Sequence, residues 1–189
     1  HRRYPTTLSL CCVPRQTPAT LSPIRRRPLP RRQPQRHRRA MDPEAVRRTL
    51  EPTASAADIS GSTPYDSFVI SGVRLEAAEH GRVLCSFVVT PRIASPQGYL
   101  LSGVTATLAD QLGSAVFFSS GVGTSGVSLE ISVSYVDTAA VGEEIEVEAK
   151  LLRAGKSVGV VSVDFRKKRS GKLMAQARHT KYLAVSSRL

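Results

Sequence analysis

A single aspartate interrupts an otherwise apolar stretch near the middle of the chain. The segment GYLLSGVTATLADQLGSAVFF, residues 98–118, contains one acidic residue, Asp110, and no basic residue. An unpaired carboxylate costs several kcal/mol to bury, so this side chain must be hydrogen-bonded, neutralised or functional. A carboxylate in a low-dielectric site can take a proton from a water molecule. Asp110 is therefore the first candidate for chemistry.

The residues around Asp110 have the spacing of a helix, which we predict over residues 101–119. Apolar side chains recur every three or four positions, as on the buried face of a helix; they are Leu101, Val104, Leu108, Leu112 and Ala115. A second face carries Gly103, Ala106, Asp110 and Gly113. Small residues at this spacing predict that the helix lies close against a sheet, with Asp110 in the middle of the contact.

The segments on both sides of this helix predict strands. VRLEAAEHGRVLCSFVVTPRI indicates two strands joined by a turn at residues 79–82, and SLEISVSYV, residues 128–136, alternates apolar and polar residues. Three more strands follow, with turns at Ala154-Gly155 and Ser170-Gly171. One long helix against one curved antiparallel sheet is an α+β domain. The polar faces of these strands indicate that the sheet is solvated or used for self-association.

Charge and composition divide the chain into four parts. Residues 1–40 hold 11 of the 27 basic residues and none of the 15 acidic ones, with seven prolines, which predicts a disordered tail. Residues 41–67 predict a short helix at 44–50 and a linker at 53–67. The folded domain is expected over residues 68–185, and residues 186–189 form a C-terminal tail.

The tail at residues 1–40 has three interpretations. It is rich in arginine and poor in acids, like an organellar transit peptide. It could instead be a nucleic-acid-binding arm or translated upstream sequence, since Met41 looks like an ordinary start. From Met41 onward the charges nearly balance, and no aromatic platform or known motif accompanies the basic residues, so we expect no nucleic-acid partner for the domain.

Other residues exclude several classes of protein. Cys85 is the only cysteine of the body, which favours a reducing compartment. The body has two histidines, His80 and His179, which we interpret as a turn residue and a packing or surface residue. They form no metal cluster at recognised spacing, so we expect no metal. No apolar run is long enough to span a bilayer, so no stable membrane insertion is expected.

The stretches TATLAD, GVSLEISVSY and GKLMAQARHTKYL make the chain resemble the hotdog-fold acyl-CoA thioesterases of the phenylacetate-type group, over roughly residues 83–183. The resemblance implies a curved sheet wrapped around a central helix and a homo-oligomer, either dimer or tetramer. It implies hydrolysis of fatty acyl-CoA without a cofactor, at an active site between subunits. The carboxylate and the hydroxyl of that site are expected from neighbouring protomers.

The resemblance also assigns roles to residues. It implies that Asp110 activates a water molecule, that Ser128 orients it, and that the backbone N–H of Ser102, with Gly103 beside it, stabilises the oxyanion. Coenzyme A contacts are implied at Tyr135, Val136, Asp137, Thr138, Ala139 and Ala140, at the turn residues Arg153, Ala154, Gly155, Lys156, Ser157 and Val158, and at Tyr182. Arg153 and Lys156 are the expected phosphate partners.

The loop before the helix departs from the family pattern Asn-x-x-Gly-x-x-His-Gly-Gly. Ser95 stands at the Asn position, Leu101 at the His and Ser102 at the first Gly, and Gln97 is a possible replacement for the Asn in holding the substrate. The alternative function is therefore a catalytically weakened acyl-CoA-binding protein. Leu101 argues against a hotdog dehydratase, which would need a histidine there.

The last three residues, Ser187, Arg188 and Leu189, resemble a C-terminal peroxisomal address. The expected location is therefore the peroxisome, where acyl-CoA is handled. A genuine transit peptide at residues 1–40 would instead favour the mitochondrion or plastid, and the cytoplasm is the remaining alternative.

Overall fold

The structure, a computed structural model, describes residues 40–50 and 64–183. Most of the predicted basic tail, most of the linker and the C-terminal SRL lie outside the described residues. The described residues form three α-helices, α1 (Pro43–Leu50), α2 (Pro64–Ile70) and α3 (Ser102–Ser119), and a short 3-10 helix at Pro91–Ile93. Its six strands are β1 (Arg74–Glu79), β2 (Arg82–Val88), β3 (Val127–Tyr135), β4 (Glu144–Ala154), β5 (Val158–Lys167) and β6 (Leu173–Tyr182).

The strands form one antiparallel sheet in the order β1-β2-β4-β5-β6-β3. The helix α3 packs against this sheet, which confirms the predicted α+β hotdog architecture. The predicted turns join β1 to β2, β4 to β5, and β5 to β6. Side chains of a strand point alternately to the two faces of the sheet. In β4, Ile145, Val147 and Ala149 are buried on the face toward the core, while the residues between them are half-buried.

The helix α3 is the centre of the hydrophobic core. Val104, Leu108, Leu112 and Ala115 are buried, as their spacing predicts. Leu101 is different, because it precedes the helix and its residue is 43 % exposed. The helix α1 also packs against α3 and buries Val46 and Leu50.

The strand β3 lies at one edge of the sheet and is largely exposed on both faces. Val127 and Leu129 are each 59 % exposed. The start of β3 is fixed against β6 by Gly126, which has a φ of +67°. A side chain there would clash with the backbone oxygen of Tyr182, because an added Cβ would lie 2.1 Å from it. The close approach sets the position of Ser128, two residues further on.

The helix α2 corrects the predicted linker, which extended to residue 67. Proline is favoured in the first turn of a helix, and α2 begins at Pro64. The guanidinium of Arg92 donates hydrogen bonds to the backbone oxygens of Phe68 and Ser71 at the other end. This cap comes from a residue distant in the sequence, so local composition could not indicate it.

Within the described residues, no helix has both the length and the hydropathy needed to cross a membrane.

Candidate active site

Asp110 lies on α3 where the helix faces the paired strands β3 and β6. Its side chain is 40 % exposed, so the carboxylate is open to solvent on one side and packed on the other. It lies in the third turn of α3, beside groups from both strands. The prediction that small residues let α3 lie close against the sheet holds at Gly113, where an added Cβ would lie 2.8 Å from Nδ1 of His179. It is wrong at Gly103, where no atom lies within 4 Å of the Cβ position.

Ser128 contacts Asp110 within a single chain. The Ser128 hydroxyl donates a long hydrogen bond to Oδ1 of Asp110, with 3.4 Å between the oxygens. The expectation that the carboxylate and the hydroxyl come from neighbouring protomers is therefore wrong. The physical reason is the crossover after α3, which places β3 beside β6 at the edge next to the helix.

His179 of β6 is the third member of this cluster and contacts both Ser128 and Asp110. It is fully buried on β6, and its Nε2 lies 2.9 Å from Oγ of Ser128 and 3.5 Å from Oδ1 of Asp110. Desolvation, followed by the nearby ammonium of Lys181, lowers the pKa of His179 to about 4, against smaller opposing effects from Asp110 and the Ala109 backbone. The ring is neutral at neutral pH. The interpretation of His179 as a packing or surface residue is incomplete, because the ring is both buried and part of this cluster.

The neutral ring lets Ser128 present a lone pair to a water molecule. When the ring carries its proton on Nδ1, the single Ser128 hydroxyl proton can turn from Asp110 to Nε2 of His179. Nδ1 itself has no hydrogen-bond partner among the described residues, although the Ala109 backbone favours a proton on the ring. A water molecule can then donate one hydrogen to Asp110 and the other to Ser128. This arrangement fixes the direction of the water lone pairs.

The Ser128–His179 pair also resembles part of a nucleophilic serine site. Two observations disfavour a covalent mechanism. Burial makes the ring a poor base, because its pKa lies near 4. Within residues 40–50 and 64–183, no carboxylate contacts Nδ1, where a serine hydrolase would place the group that stabilises the imidazolium. The carboxylate of Asp110, by contrast, is open to solvent on one side, so a water molecule can reach it.

Ser102 and Gly103 form the exposed first turn of α3. The first N–H groups of a helix have no intrahelical acceptor, and the side chain of Leu101 does not cap them. They carry the positive end of the helix dipole, which suits an oxyanion. Ser102 replaces a family glycine without backbone strain, because no non-glycine residue among the described ones has a positive φ.

Beside this helix end is a cavity of about 200 Å³. Four of its lining residues are predicted site residues, namely Ser102, Tyr135, Asp137 and Thr138. The Tyr135 hydroxyl donates to the backbone oxygen of Ser102 at 2.9 Å, and burial raises the pKa of Tyr135. Hydrogen bonds from Lys172 and from the Thr138 backbone lower the pKa of Asp137. The carboxylate of Asp137 is therefore neutralised by its neighbours rather than free to repel an anion.

The remaining predicted contacts fall into two groups at opposite ends of β3. Near Tyr135, Val136 is exposed, while Ala139 is buried and Ala140 donates its N–H to Glu143. At the other end, the exposed residues Arg153, Ala154, Gly155 and Lys156, together with Ser157 and Val158, form the turn between β4 and β5. Tyr182 lies at this end as well, because it pairs with both Val127 and Val158. One chain does not bring the two groups together.

Ser95 and Gln97 lie in the loop before α3. The Ser95 hydroxyl accepts the N–H of Tyr99 at 3.4 Å, so it takes part in its own turn. Gln97 is exposed. The loop has a tight turn at Gly98, with a φ of +81°, which only glycine adopts readily.

Two residues of the site were missed by the sequence analysis, namely His179 and Lys181. Both lie on the core-facing side of β6, in line with the buried residues Ala175 and Ala177. The alternation in AQARHTKYL was the available signal, since it places a histidine and a lysine on the face that should be apolar. No group of three or more potential ligands among the described residues could hold a metal ion.

A long helix packed against a six-stranded antiparallel sheet is the architecture of the hotdog class. The model of the thioesterase superfamily matches residues 97–174. The chain is 36 % identical to human acyl-coenzyme A thioesterase 13 over 115 residues, which cover 61 % of this chain and 82 % of the relative. The chain belongs to the thioesterase superfamily, a family of thioester hydrolases.

Three other proteins agree with this family assignment. A putative esterase of Schizosaccharomyces pombe is 31 % identical over 67 % of this chain and 78 % of its own length. The crystal structure of zebrafish thioesterase superfamily member 2 superimposes with a TM-score of 0.64 at 33 % identity, covering 74 % of this chain and 94 % of that one. The mouse protein of the same name gives 0.62 at 31 % identity, with coverages of 74 % and 96 %.

Proposed function

We propose that this protein hydrolyses acyl-CoA thioesters, with Asp110 as the base and Ser128 as the residue that orients water. The observation that carries the proposal is the cluster in which Oγ of Ser128 lies 3.4 Å from Asp110 and 2.9 Å from His179. A half-exposed carboxylate beside a hydroxyl of fixed direction is what activation of one water molecule requires. The names of the human and mouse relatives support the same substrate class.

The reaction follows from these groups. The water oxygen attacks the thioester carbonyl while Asp110 takes one of its protons. The N–H groups of Ser102 and Gly103 stabilise the resulting oxyanion. The tetrahedral intermediate then expels the thiolate of coenzyme A, which receives the proton from Asp110. The products are a free acid and coenzyme A, and no cofactor is required.

The complete site needs a second copy of the chain. Ser102 and Asp110 are eight residues apart on one helix, which separates them by about 12 Å along its axis. A single thioester cannot contact both. An antiparallel copy paired along the exposed edge of β3 brings the Tyr135 end of one chain to the Val127 end of the other. The same pairing unites the two groups of predicted coenzyme A contacts.

The assembled site gives the expected phosphate partners a role. Arg153 and Lys156 lie at the turn between β4 and β5, and both are exposed. Pairing along β3 would place this turn of one chain near the cavity beside Tyr135 of its partner. Two cations at the mouth of that cavity would attract the phosphates of coenzyme A.

A second function is favoured by one observation, the local use of Ser95. Its hydroxyl accepts a hydrogen bond from Tyr99 in its own loop, whereas the family asparagine helps to hold the thioester. The loss of one oxyanion-type donor costs about a hundred- to a thousandfold in rate. A chain that binds acyl-CoA but hydrolyses it slowly is therefore the alternative.

The test measures coenzyme A release with a thiol reagent over a panel of acyl-CoAs. We expect release by the wild-type protein and a loss of about a hundredfold or more in Asp110→Asn, with the fold intact. Asp164→Asn is the matched control, because Asp164 pairs with Arg166 on the outer face of the sheet. Tight binding without release supports the alternative, and equal turnover in Asp110→Asn removes Asp110 from the mechanism.

A further inference from the structure

Lys181 is a buried cation that the proposed reaction leaves unexplained. It lies on the core-facing side of β6, and only 4 % of the residue is exposed. Burying an ammonium group is costly unless partners compensate for its lost hydration. Its partners therefore indicate its purpose.

Both partners of the Lys181 ammonium belong to α3. Nζ donates a hydrogen bond to Oγ of Ser114 at 2.6 Å and lies 4.0 Å from Oδ1 of Asp110. Asp110 and Ser114 are four residues apart and so share one face of the helix. Lys181 thus bridges two successive turns at the place where the candidate base is held. Burial lowers the pKa of Lys181, and Asp110 opposes that shift.

We propose that Lys181 is a positioning residue of the active site, whose ammonium, anchored by Ser114, holds the Asp110 carboxylate beside Ser128 and His179. This inference rests on the proposed function, because it assigns a role within the same site. Lys181 itself does not contact the substrate in this account. It acts through Asp110 and His179.

The environment of His179 supports an electrostatic contribution. The charged groups that face its ring are Asp110 from α3 and Lys181 from the same strand. The neighbouring residues on the paired strands, Ile131 of β3 and Val161 of β5, are uncharged. The Lys181 charge is second only to desolvation in lowering the pKa of His179. Lys181 therefore helps to keep the ring neutral, so that Nε2 can accept the Ser128 hydroxyl.

The test replaces Lys181 with methionine, which keeps the length of the side chain and removes its charge. We expect the NMR titration midpoint of His179 to rise by about one pH unit or more. We also expect kcat to fall about tenfold with little change in KM, and the acid limb of the pH profile to move to higher pH. Lys150→Met is the control, since Lys150 is half-exposed and pairs with Glu148 on β4.

A folded Lys181→Met protein with an unchanged His179 titration and pH profile would overturn the proposal, whatever happens to stability. Should this variant fail to fold, Ser114→Ala removes the anchor and keeps the charge. We then expect a several-fold fall in kcat, and wild-type kcat would contradict the inference. The NMR titration needs no substrate, so a wild-type protein without thioesterase activity refutes the proposed function while the titration still tests Lys181.

Discussion

The middle of α3 and its N-terminal end differ in how completely one chain builds their surroundings. Around Asp110 and Gly113 the helix packs so closely on β6 that a single methyl group would touch the ring of His179. Around Ser102 and Gly103 the helix is exposed, and the Cβ position of Gly103 has no neighbour within 4 Å. The half of the proposed site around Asp110 is therefore held by core packing, whereas the half around Ser102, the proposed oxyanion site, is open.

This difference indicates which part of the site depends on assembly. The cluster of Asp110, Ser128 and His179 is held by contacts within one chain, so it should survive in an isolated protomer. The first turn of α3 has exposed N–H donors beside an open cavity lined by Tyr135 and Thr138 of the same chain, but Asp110 of that chain lies about 12 Å away along the helix. The exposed edge of β3 is the surface through which a second copy would bring its own carboxylate to this end of the helix.

The largest effect is expected from Ser102→Pro, which removes one N–H donor at the open end of α3 and leaves the cluster around Asp110 unchanged. Proline lacks the N–H group and is tolerated at the first position of a helix. Leu101 before it is already extended, with φ −68° and ψ 132°, as a residue preceding proline requires. We expect kcat to fall about a hundred- to a thousandfold with little loss of stability. Steady-state kinetics and thermal unfolding measure the two effects.

Ser102→Ala is the matched control, because it removes the hydroxyl and keeps the N–H group. We expect nearly wild-type turnover from it. Equal losses in the two variants would mean that the side chain of Ser102, rather than its backbone, contributes to catalysis.

The packed half should make stability depend on pH through His179. Its folded pKa of about 4 lies below the ordinary value of 6.5, so the unfolded chain binds more protons between these limits. The contribution of His179 to the free energy of unfolding, on the order of 2–3 kcal/mol, should therefore be fully present above pH 6.5. It should be lost as the pH falls toward 4. Urea unfolding at several pH values measures the change.

His179→Gln isolates this contribution, because glutamine does not titrate. Its unfolding free energy should depend less on pH than that of the wild-type protein. His80→Gln is the control, since His80 lies exposed in the turn between β1 and β2. A wild-type pH dependence in His179→Gln would show that the ring is not buried in its neutral form.

A smaller effect is expected from Gly113→Ala, which adds a methyl group where α3 packs against His179. Alanine favours a helix interior by about 1 kcal/mol over glycine. Here its Cβ would lie 2.8 Å from Nδ1 of His179, so the ring must move. We expect a net destabilisation of about 1 kcal/mol and a several-fold loss of kcat. Gly103→Ala should be stabilising instead, and equal stability changes in the two variants would contradict the described packing.

The sequence predicted the features that depend on local periodicity. The period of the apolar residues located α3 to within one residue, and the Gly-containing turns marked three hairpins correctly. The family motifs selected Asp110 and Ser128, which the fold brings into contact. Their catalytic roles stay predictions.

Features that depend on distant contacts were not predictable in the same way. The helix α2 is capped by Arg92, more than twenty residues away in the sequence, so its Ser- and Thr-rich surroundings suggested a linker. The alternation of β6 places His179 and Lys181 on the apolar face of the strand. Nothing local shows which aspartate they face, so their place in the site could not be predicted. Leu101 is exposed just before the helix, because α3 begins one residue later than the periodicity predicted.

The most direct test of the two-half account is subunit complementation. A heterodimer is purified, through two different tags, from one chain with Asp110→Asn and one with Ser102→Pro. If Asp110 and Ser102 of different chains form each site, one of the two sites is intact, and the heterodimer should show about half of the wild-type kcat. A heterodimer that stays as inactive as either parent would mean that both residues act within one chain, and would contradict the account.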